Sequence, residues 1–224
     1  MGQEALVDQK TEVLAGIIRA GHKAQLSRLL VVGCGSGTEA AVLARALEVE
    51  VVGIDLKTDF DATAASLVDL RHGDATKLEF PDRRFDFVFS FHTLEHIPEY
   101  DKALAEIRRV LAPAGGYCIG TPNRDRLVGY LGSKTATTID KVRWNLADWR
   151  ARLSGEFTNK AGAHAGFTSE ELSQALLRHF RTAQNVSLQY YYKLYPRNAG
   201  LIWWLDRSGF RRYLFPAVYF LGEV

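Results

Sequence analysis

Three glycines at alternate positions, Gly33, Gly35 and Gly37, follow the apolar run Leu29-Leu30-Val31-Val32 and precede a helix-like segment. Lacking Cβ atoms, they let the chain turn sharply and let a ligand lie against bare backbone. The helix that follows points unpaired N–H groups at that ligand, so the chemistry served is the holding of a nucleotide-type cofactor. Asp55 lies 18 residues past Gly37 at the end of the apolar run Val51-Val52-Gly53-Ile54, a spacing that suits the gripping of ribose hydroxyls. Downstream, His92, Glu95 and His96 stand at i, i+3 and i+4 and share one face if that turn is helical. A histidine there can serve as general base or as metal ligand. The string His-x-x-Glu-His also matches an inverted zinc-protease motif. That motif needs a long helix, whereas here a strand ends just before and Pro98 follows two residues after.

The dinucleotide fingerprint G-x-G-x-x-G requires glycine at position 38, where this chain has Thr38. The spacing G-x-G-x-G instead resembles motif I of the class I S-adenosylmethionine (SAM) methyltransferases, in particular the ubiquinone-type (methyltransferase type 11) group. Order and spacing sustain the resemblance over residues 28–123. Gly73-Asp74-Ala75 follows a third short apolar segment, and Phe85-Asp86-Phe87-Val88-Phe89-Ser90 runs into Phe91-His92-Thr93-Leu94-Glu95-His96-Ile97. The resemblance implies that Gly33, Cys34, Gly35 and Gly37 pass close to the methionine part of the cofactor. It implies that Asp55, with Leu56 beside it, accepts hydrogen bonds from both ribose hydroxyls. Asp74 then takes the adenine amino group with Ala75 beside the ring, and Ser90 and Phe91 line the methyl-donor end.

His92, His96 and His164 are the catalytic candidates. In methyltransferases of the ubiquinone pathway and in those acting on small-RNA 3′ ends, the segment at 92–96 reads Glu-x-x-Glu-His. A later histidine before a Phe-Thr-type helix completes a divalent-metal site there. This chain offers His164 before Gly166-Phe167-Thr168 but has His92 where those enzymes carry Glu. A set of three His and one Glu, His92, Glu95, His96 and His164, suits zinc or another borderline metal better than magnesium. Metal-free relatives also carry Leu-Glu-His-Ile, so the expectation is no bound metal, with a histidine as base.

The elements that must position these residues alternate. Apolar residues between 3 and 20 suggest a lead-in helix, Ser36 to Leu47 a first crossover helix, and 98–111 a helix with Ala103, Leu104, Ile107, Val110 and Leu111 on one stripe. Gly116 to Thr121 reads as a fifth strand. Strand and helix in alternation predict a Rossmann-like, doubly wound α/β sheet of about seven strands. Residues 1–123 form its cofactor core. Residues 124–167 break the rhythm with eight Lys and Arg against four Asp and Glu, and read as an inserted acceptor lid in which Arg124, Arg126, Arg143 and Trp144 are candidate contacts. Regular order resumes over 168–224. Thr168 with Glu171 forms a capping box and Phe167 with Leu172 a hydrophobic staple. Asn185–Tyr192 and Leu214–Val224 read as the last two strands, and Trp203, Trp204, Phe210, Tyr213 and Phe215 are expected to pack in the core rather than on a membrane.

At 224 residues, 47% hydrophobic and 24% charged, the composition is that of an ordinary globular chain. No apolar run approaches the ~20 residues of a membrane-spanning helix. The N-terminus lacks a basic-then-apolar signal pattern, so a cytoplasmic location is expected. Cys34 follows the first strand and Cys118 lies in the fifth; the sheet order that the resemblance implies sets the fourth strand between them, too far apart for a disulfide. Residues 1–123 hold 13 Lys and Arg against 18 Asp and Glu, net −5, and residues 124–224 hold 15 against 8, net +7. A basic acceptor half points to a small anionic acceptor methylated at oxygen. A pI near 8.5 falls below the level above ~9 that marks nucleic-acid binders, so no nucleic-acid partner is expected. The rival readings are a SAM-binding module without catalysis and a nicotinamide-dependent oxidoreductase, separable by SAM turnover and by a SAM-against-NAD titration.

Overall fold

The structure, a computed structural model, describes residues 7–130, 136–159 and 165–224. Helix α1 (Gln9–Gly21) starts where the Asp8 carboxylate accepts the Thr11 N–H, and it buries Leu14, Ile17 and Ile18. β1 (Arg28–Val32), α2 (Thr38–Leu47), β2 (Glu50–Asp55), the short α3 (Ala62–Ala65), β3 (Asp69–His72) and β4 (Phe85–Phe91) follow. A 3-10 turn over Leu94–His96 leads to α4 (Tyr100–Val110) and β5 (Leu111–Pro122). Pro98 sits just outside α4, and its stripe of Ala103, Leu104, Ile107 and Val110 is buried as the 3.6-residue period requires. α5 (Thr138–Leu153) and α6 (Ser169–Leu177) both open on capping boxes, Thr137 with Asp140 and Thr168 with Glu171. The chain ends through β6 (Gln184–Asn185), α7 (Ser187–Leu194), α8 (Ala199–Arg207), α9 (Arg211–Leu214) and β7 (Ala217–Glu223).

The seven strands form one sheet in the order β3-β2-β1-β4-β5-β7-β6. β1 to β5 run parallel, and β7 is antiparallel to both β5 and β6. Alternate residues feed two cores. Leu29, Val31, Phe87 and Phe89 face α1, α2, α7 and α8, while Leu30, Val32, Val88 and Ile119 face α4 and α6. Because β1 and β4 sit at the centre, their carboxyl ends meet where the strand order reverses, the crevice in which open α/β sheets bind ligands. Cys34 and Cys118 are buried and unbonded to each other. Among the described residues no helix is long and apolar enough to cross a membrane.

Two sequence expectations fail here. Asn185–Tyr192 is not a strand: pairing stops at Asn185, whose side chain accepts the Ser187 N–H at 2.9 Å and opens α7. Ser187, Tyr190, Tyr191 and Leu194 are its buried residues, so helical periodicity overrides the strand preference of the aromatic run. The aromatic tail is not core either. Trp203, Trp204, Phe210 and Tyr213 are 55%, 51%, 49% and 38% exposed, and only Phe215 is buried. Here α8 and α9 turn Ile202, Leu205 and Phe215 inward and leave no inward position for the rest.

Candidate active site

The glycine loop folds back over the end of β2. Gly33 and Cys34 both donate backbone N–H groups to Ile54 O, at 2.8 and 3.0 Å. All three glycines have positive φ: +74° at Gly33, +53° at Gly35 and +87° at Gly37. Their reasons differ. A Cβ on Gly33 would lie 2.1 Å from Thr93 Oγ1, and one on Gly37 would strike Leu70, whereas a Cβ on Gly35 meets nothing within 4 Å. Gly33 and Gly37 are therefore glycines for packing, and Gly35 presents bare backbone to open space. Gly37 is also the N-cap of α2 and supplies no side-chain cap, so the helix's first N–H groups are left for another acceptor.

Asp55 closes the loop. Its Oδ2 accepts the Gly35 N–H and its Oδ1 the Lys57 N–H, each at 2.9 Å, which fixes the carboxylate at the strand end. Gly73 N–H donates to Asp55 O at 2.9 Å, so Asp74 stands at the neighbouring strand end. Asp74 Oδ1 accepts from both the N–H and the hydroxyl of Thr76 at 2.8 Å, and these bonds hold its carboxyl below the usual range. Leu56 is exposed and Ala75 buried. Cys34 is buried, and burial, with the Asp55 charge second, pushes its thiol up to about 12. It is no nucleophile. Ser90 is buried with its hydroxyl unpartnered among the described residues. Open space over Gly35, free helix N–H groups and two carboxylates at adjacent strand ends together suit the methionine and adenosine ends of SAM.

Beyond β4 the chain turns through His92 at φ +53°, a left-handed conformation uncommon outside glycine. The turn is held by His92 N–H donating to Gly120 O at 3.0 Å and by the Thr93 hydroxyl donating to Phe91 O at 3.1 Å. Glu95 Oε1 lies 3.2 Å from His92 Nδ1 and 3.9 Å from His96 Nε2. The Glu95 side chain is fully buried and its Oε2 has no partner among the described residues. His92 and His96 are thus brought together by one sealed carboxylate, while His164 lies outside the described residues. Among the described residues no cluster of three or more His, Cys, Asp or Glu is arranged to hold a metal ion.

His92 faces a cavity of about 470 Å³ lined mostly by apolar and aromatic groups. Phe91 and Pro122 come from the ends of β4 and β5, Tyr190 and Tyr191 from α7, Ile202 from α8 and Tyr219 from β7. Phe91 stacks on Tyr219 with ring centroids 5.2 Å apart. None of these aromatics beyond Phe91 was singled out from sequence as a site residue. Helical spacing in 187–194 was the available signal for α7. Of the four expected lid contacts, only Arg126 lines this cavity. It is buried, donating to Asn123 O and Ala165 O and pairing with Asp148 at 3.3 Å. Arg124 instead bonds Gly166 O and Glu171. Arg143 is exposed, and Trp144 packs its ring against Tyr130. A further group that sequence reasoning missed is Arg109, which braces the segment after Asp74 by donating to Leu78 O and Phe80 O at 2.8 Å.

A family model described as a methyltransferase domain matches residues 30–119. The 27-O-demethylrifamycin SV methyltransferase of Amycolatopsis mediterranei is 32% identical over 210 residues, covering 81% of this chain and 75% of that protein. The fatty-acid O-methyltransferase of Mycolicibacterium smegmatis is 39% identical over 105 residues, covering 44% of this chain and 38% of its own length. The chain thus spans less than half the length of several curated relatives that it matches. In fold it is similar to a Haemonchus contortus phosphoethanolamine N-methyltransferase solved with S-adenosylhomocysteine (TM-score 0.58, 20% identity, covering 95% of this chain and 52% of that one).

Proposed function

Since this chain belongs to the class I SAM-dependent methyltransferases, we propose that it methylates a small molecule with a largely apolar body, at an oxygen atom presented to His92. The observation that carries this reading is the aromatic cavity opening directly off the turn that holds His92 and Phe91. Its size falls in the range of small-ligand sites. Both sequence relatives described above are named for oxygen acceptors, which supports the same choice of atom. The basic half suggested an anionic acceptor. The cavity wall carries two cations, Lys10 and Arg126, of which Arg126 is already matched by Asp148, and the rest is mostly apolar, so any negative charge is assigned to the reacting group and not to the body of the acceptor.

SAM supplies a methyl group on a positively charged sulfur, ready to leave. The protein's share is placement. Gly35 and the α2 N-terminus receive the methionine end, Asp55 the ribose hydroxyls, and Asp74 with Ala75 the adenine. Tyr190, Tyr191 and Tyr219 exclude water from the acceptor, and alignment of this kind can supply several kcal/mol of a barrier. For a hydroxyl acceptor, His92 Nε2 takes the proton while Nδ1–H donates to Glu95, which fixes the tautomer. The described part of 124–167, which carries α5, is assigned as the lid beside the cavity, and His96 and His164 are the remaining candidates for the proton.

The test is calorimetric and chemical. SAM should bind the purified chain, Asp55→Ala should weaken it by about tenfold or more, and apolar hydroxy compounds and fatty acids should be methylated faster than sugar phosphates. Absence of SAM binding defeats the reading, and preferential methylation of the sugar phosphates defeats the acceptor class.

A further inference from the structure

Helix α5 is docked with its amphipathic sense reversed. Its protein-facing side is polar: Asn145 accepts the Gly129 N–H at 2.7 Å, Asp148 accepts the Tyr130 hydroxyl at 3.1 Å, and Arg152 donates to Arg126 O at 2.8 Å. Its apolar stripe, Ile139, Val142, Leu146, Trp149 and Leu153, repeats at intervals of three and four and is exposed throughout, from 45% at Leu146 to 91% at Leu153. No residue of α5 is buried. Arg143 and Arg150 run along one border of that stripe.

A second exposed apolar surface meets it. Trp203 and Trp204 project from α8, and Phe210 stacks on Trp204 at 5.7 Å. Tyr213 belongs to α9. The two surfaces join at Leu127, itself 49% exposed, which donates its N–H to Tyr213 O and accepts the Trp149 indole N–H, both at 2.7 Å. Arg207 lies over the Trp203 ring. Arg150, Arg197 and Arg207 make no ion pair among the described residues. The cavity's own wall residues Tyr195, Leu201 and Leu214 are 43%, 57% and 38% exposed, so its mouth opens within this same face.

We propose that this face, the α5 stripe together with α8 and α9, seats on an anionic lipid surface, so that a lipophilic acceptor reaches the cavity from the lipid. The proposal rests on the apolar-acceptor reading of the cavity. Tryptophan and tyrosine beside arginine suit the boundary between acyl chains and headgroups, and the +7 charge of residues 124–224 complements a negative leaflet. A second copy of this chain fits less well. It would set arginine borders against one another and close the cavity mouth, whereas lipid leaves the mouth supplied.

The test is flotation of the whole chain with unilamellar vesicles, without donor or acceptor. The chain should float with phosphatidylcholine–phosphatidylglycerol vesicles, float far less with phosphatidylcholine alone, and release with added salt. The double variant Trp203→Ser/Trp204→Ser should bind about tenfold or more weakly while keeping the melting temperature and turnover of a water-soluble acceptor, since neither ring lines the cavity. Arg150→Glu/Arg207→Glu, which keeps the apolar surface, should weaken binding to the anionic vesicles selectively. The proposal is overturned by absence of flotation with either vesicle, by equal flotation of parent and variants, or by light scattering that shows a dimer split by the Trp substitutions. Because flotation needs no acceptor, its failure leaves the cavity reading to the methylation assay.

Discussion

The buried carboxylate of Glu95 lies 3.2 Å from Nδ1 of His92, and that imidazole lines the apolar cavity. The left-handed turn at His92 puts the ring there, and Glu95 holds it from behind. His92→Asn should therefore lower kcat for a hydroxyl acceptor by about 10²–10⁴-fold. Glu95→Gln keeps the shape but not the charge, and should cost less, on the order of tenfold to a hundredfold, with KM little changed. Donor affinity, measured by calorimetry, should move in neither variant. Full activity of His92→Asn toward a hydroxyl acceptor would remove the base from the mechanism.

The glycines divide into one that faces open space and two that face protein, and substitution should separate them. Gly35→Ala adds a methyl group to open space; the left-handed backbone costs about 1–2 kcal/mol, so the variant should fold but bind SAM at least about tenfold more weakly. Gly33→Ala adds the same strain and drives its methyl group onto Thr93 Oγ1, an overpacking worth about 1–3 kcal/mol more. Urea midpoints should rank parent, Gly35→Ala, Gly33→Ala in falling order. Unchanged SAM affinity in Gly35→Ala would mean that the donor lies elsewhere.

How much could be read in advance depended on how local each signal is. The loop at Gly33–Gly37 and the carboxylates Asp55 and Asp74 lie at strand ends or within a few residues of them, so order and spacing, read with the family resemblance, singled them out as candidates. The capping box at Thr168 is as local, since it needs only Glu171 three residues on. The cavity has no such signature. Its walls come from β4, α7, α8 and β7, and only the fold brings Phe91 to Tyr219. The aromatic run at 188–192 favoured a strand by composition, although the buried positions Ser187, Tyr190, Tyr191 and Leu194 carry a helical period. α5 escaped differently: residues 124–167 read only as a charged break in the alternation, and nothing in the apolar period of 139–153 says that the polar side would turn inward.

If the acceptor occupies the cavity, narrowing its wall should select by size. Ile202→Trp, on α8, should leave SAM affinity unchanged and raise KM for bulky apolar acceptors by about tenfold or more, with small acceptors less affected. Stability should fall by no more than about 1–3 kcal/mol, since Ile202 borders open volume. Equal KM values for bulky acceptors in parent and variant would place the acceptor outside this cavity.

Glu39, in the first turn of α2, supplies a pH signature of the packing between α1 and α2. Burial, reinforced by the nearby Asp8 charge and opposed by Lys10, pushes its carboxyl up from an ordinary 4.5 to about 7. Between those values the folded chain keeps a proton that the unfolded chain has released. Stability from this group therefore falls as pH rises through that window, by at most about 1.4 kcal/mol per pH unit, and levels off above pH 7. Glu39→Gln removes the titration and should be the more stable protein at pH 8, with the advantage shrinking toward pH 5. Urea denaturation of both chains across that range reads the difference directly, and parallel curves would show that Glu39 ionises freely in the fold.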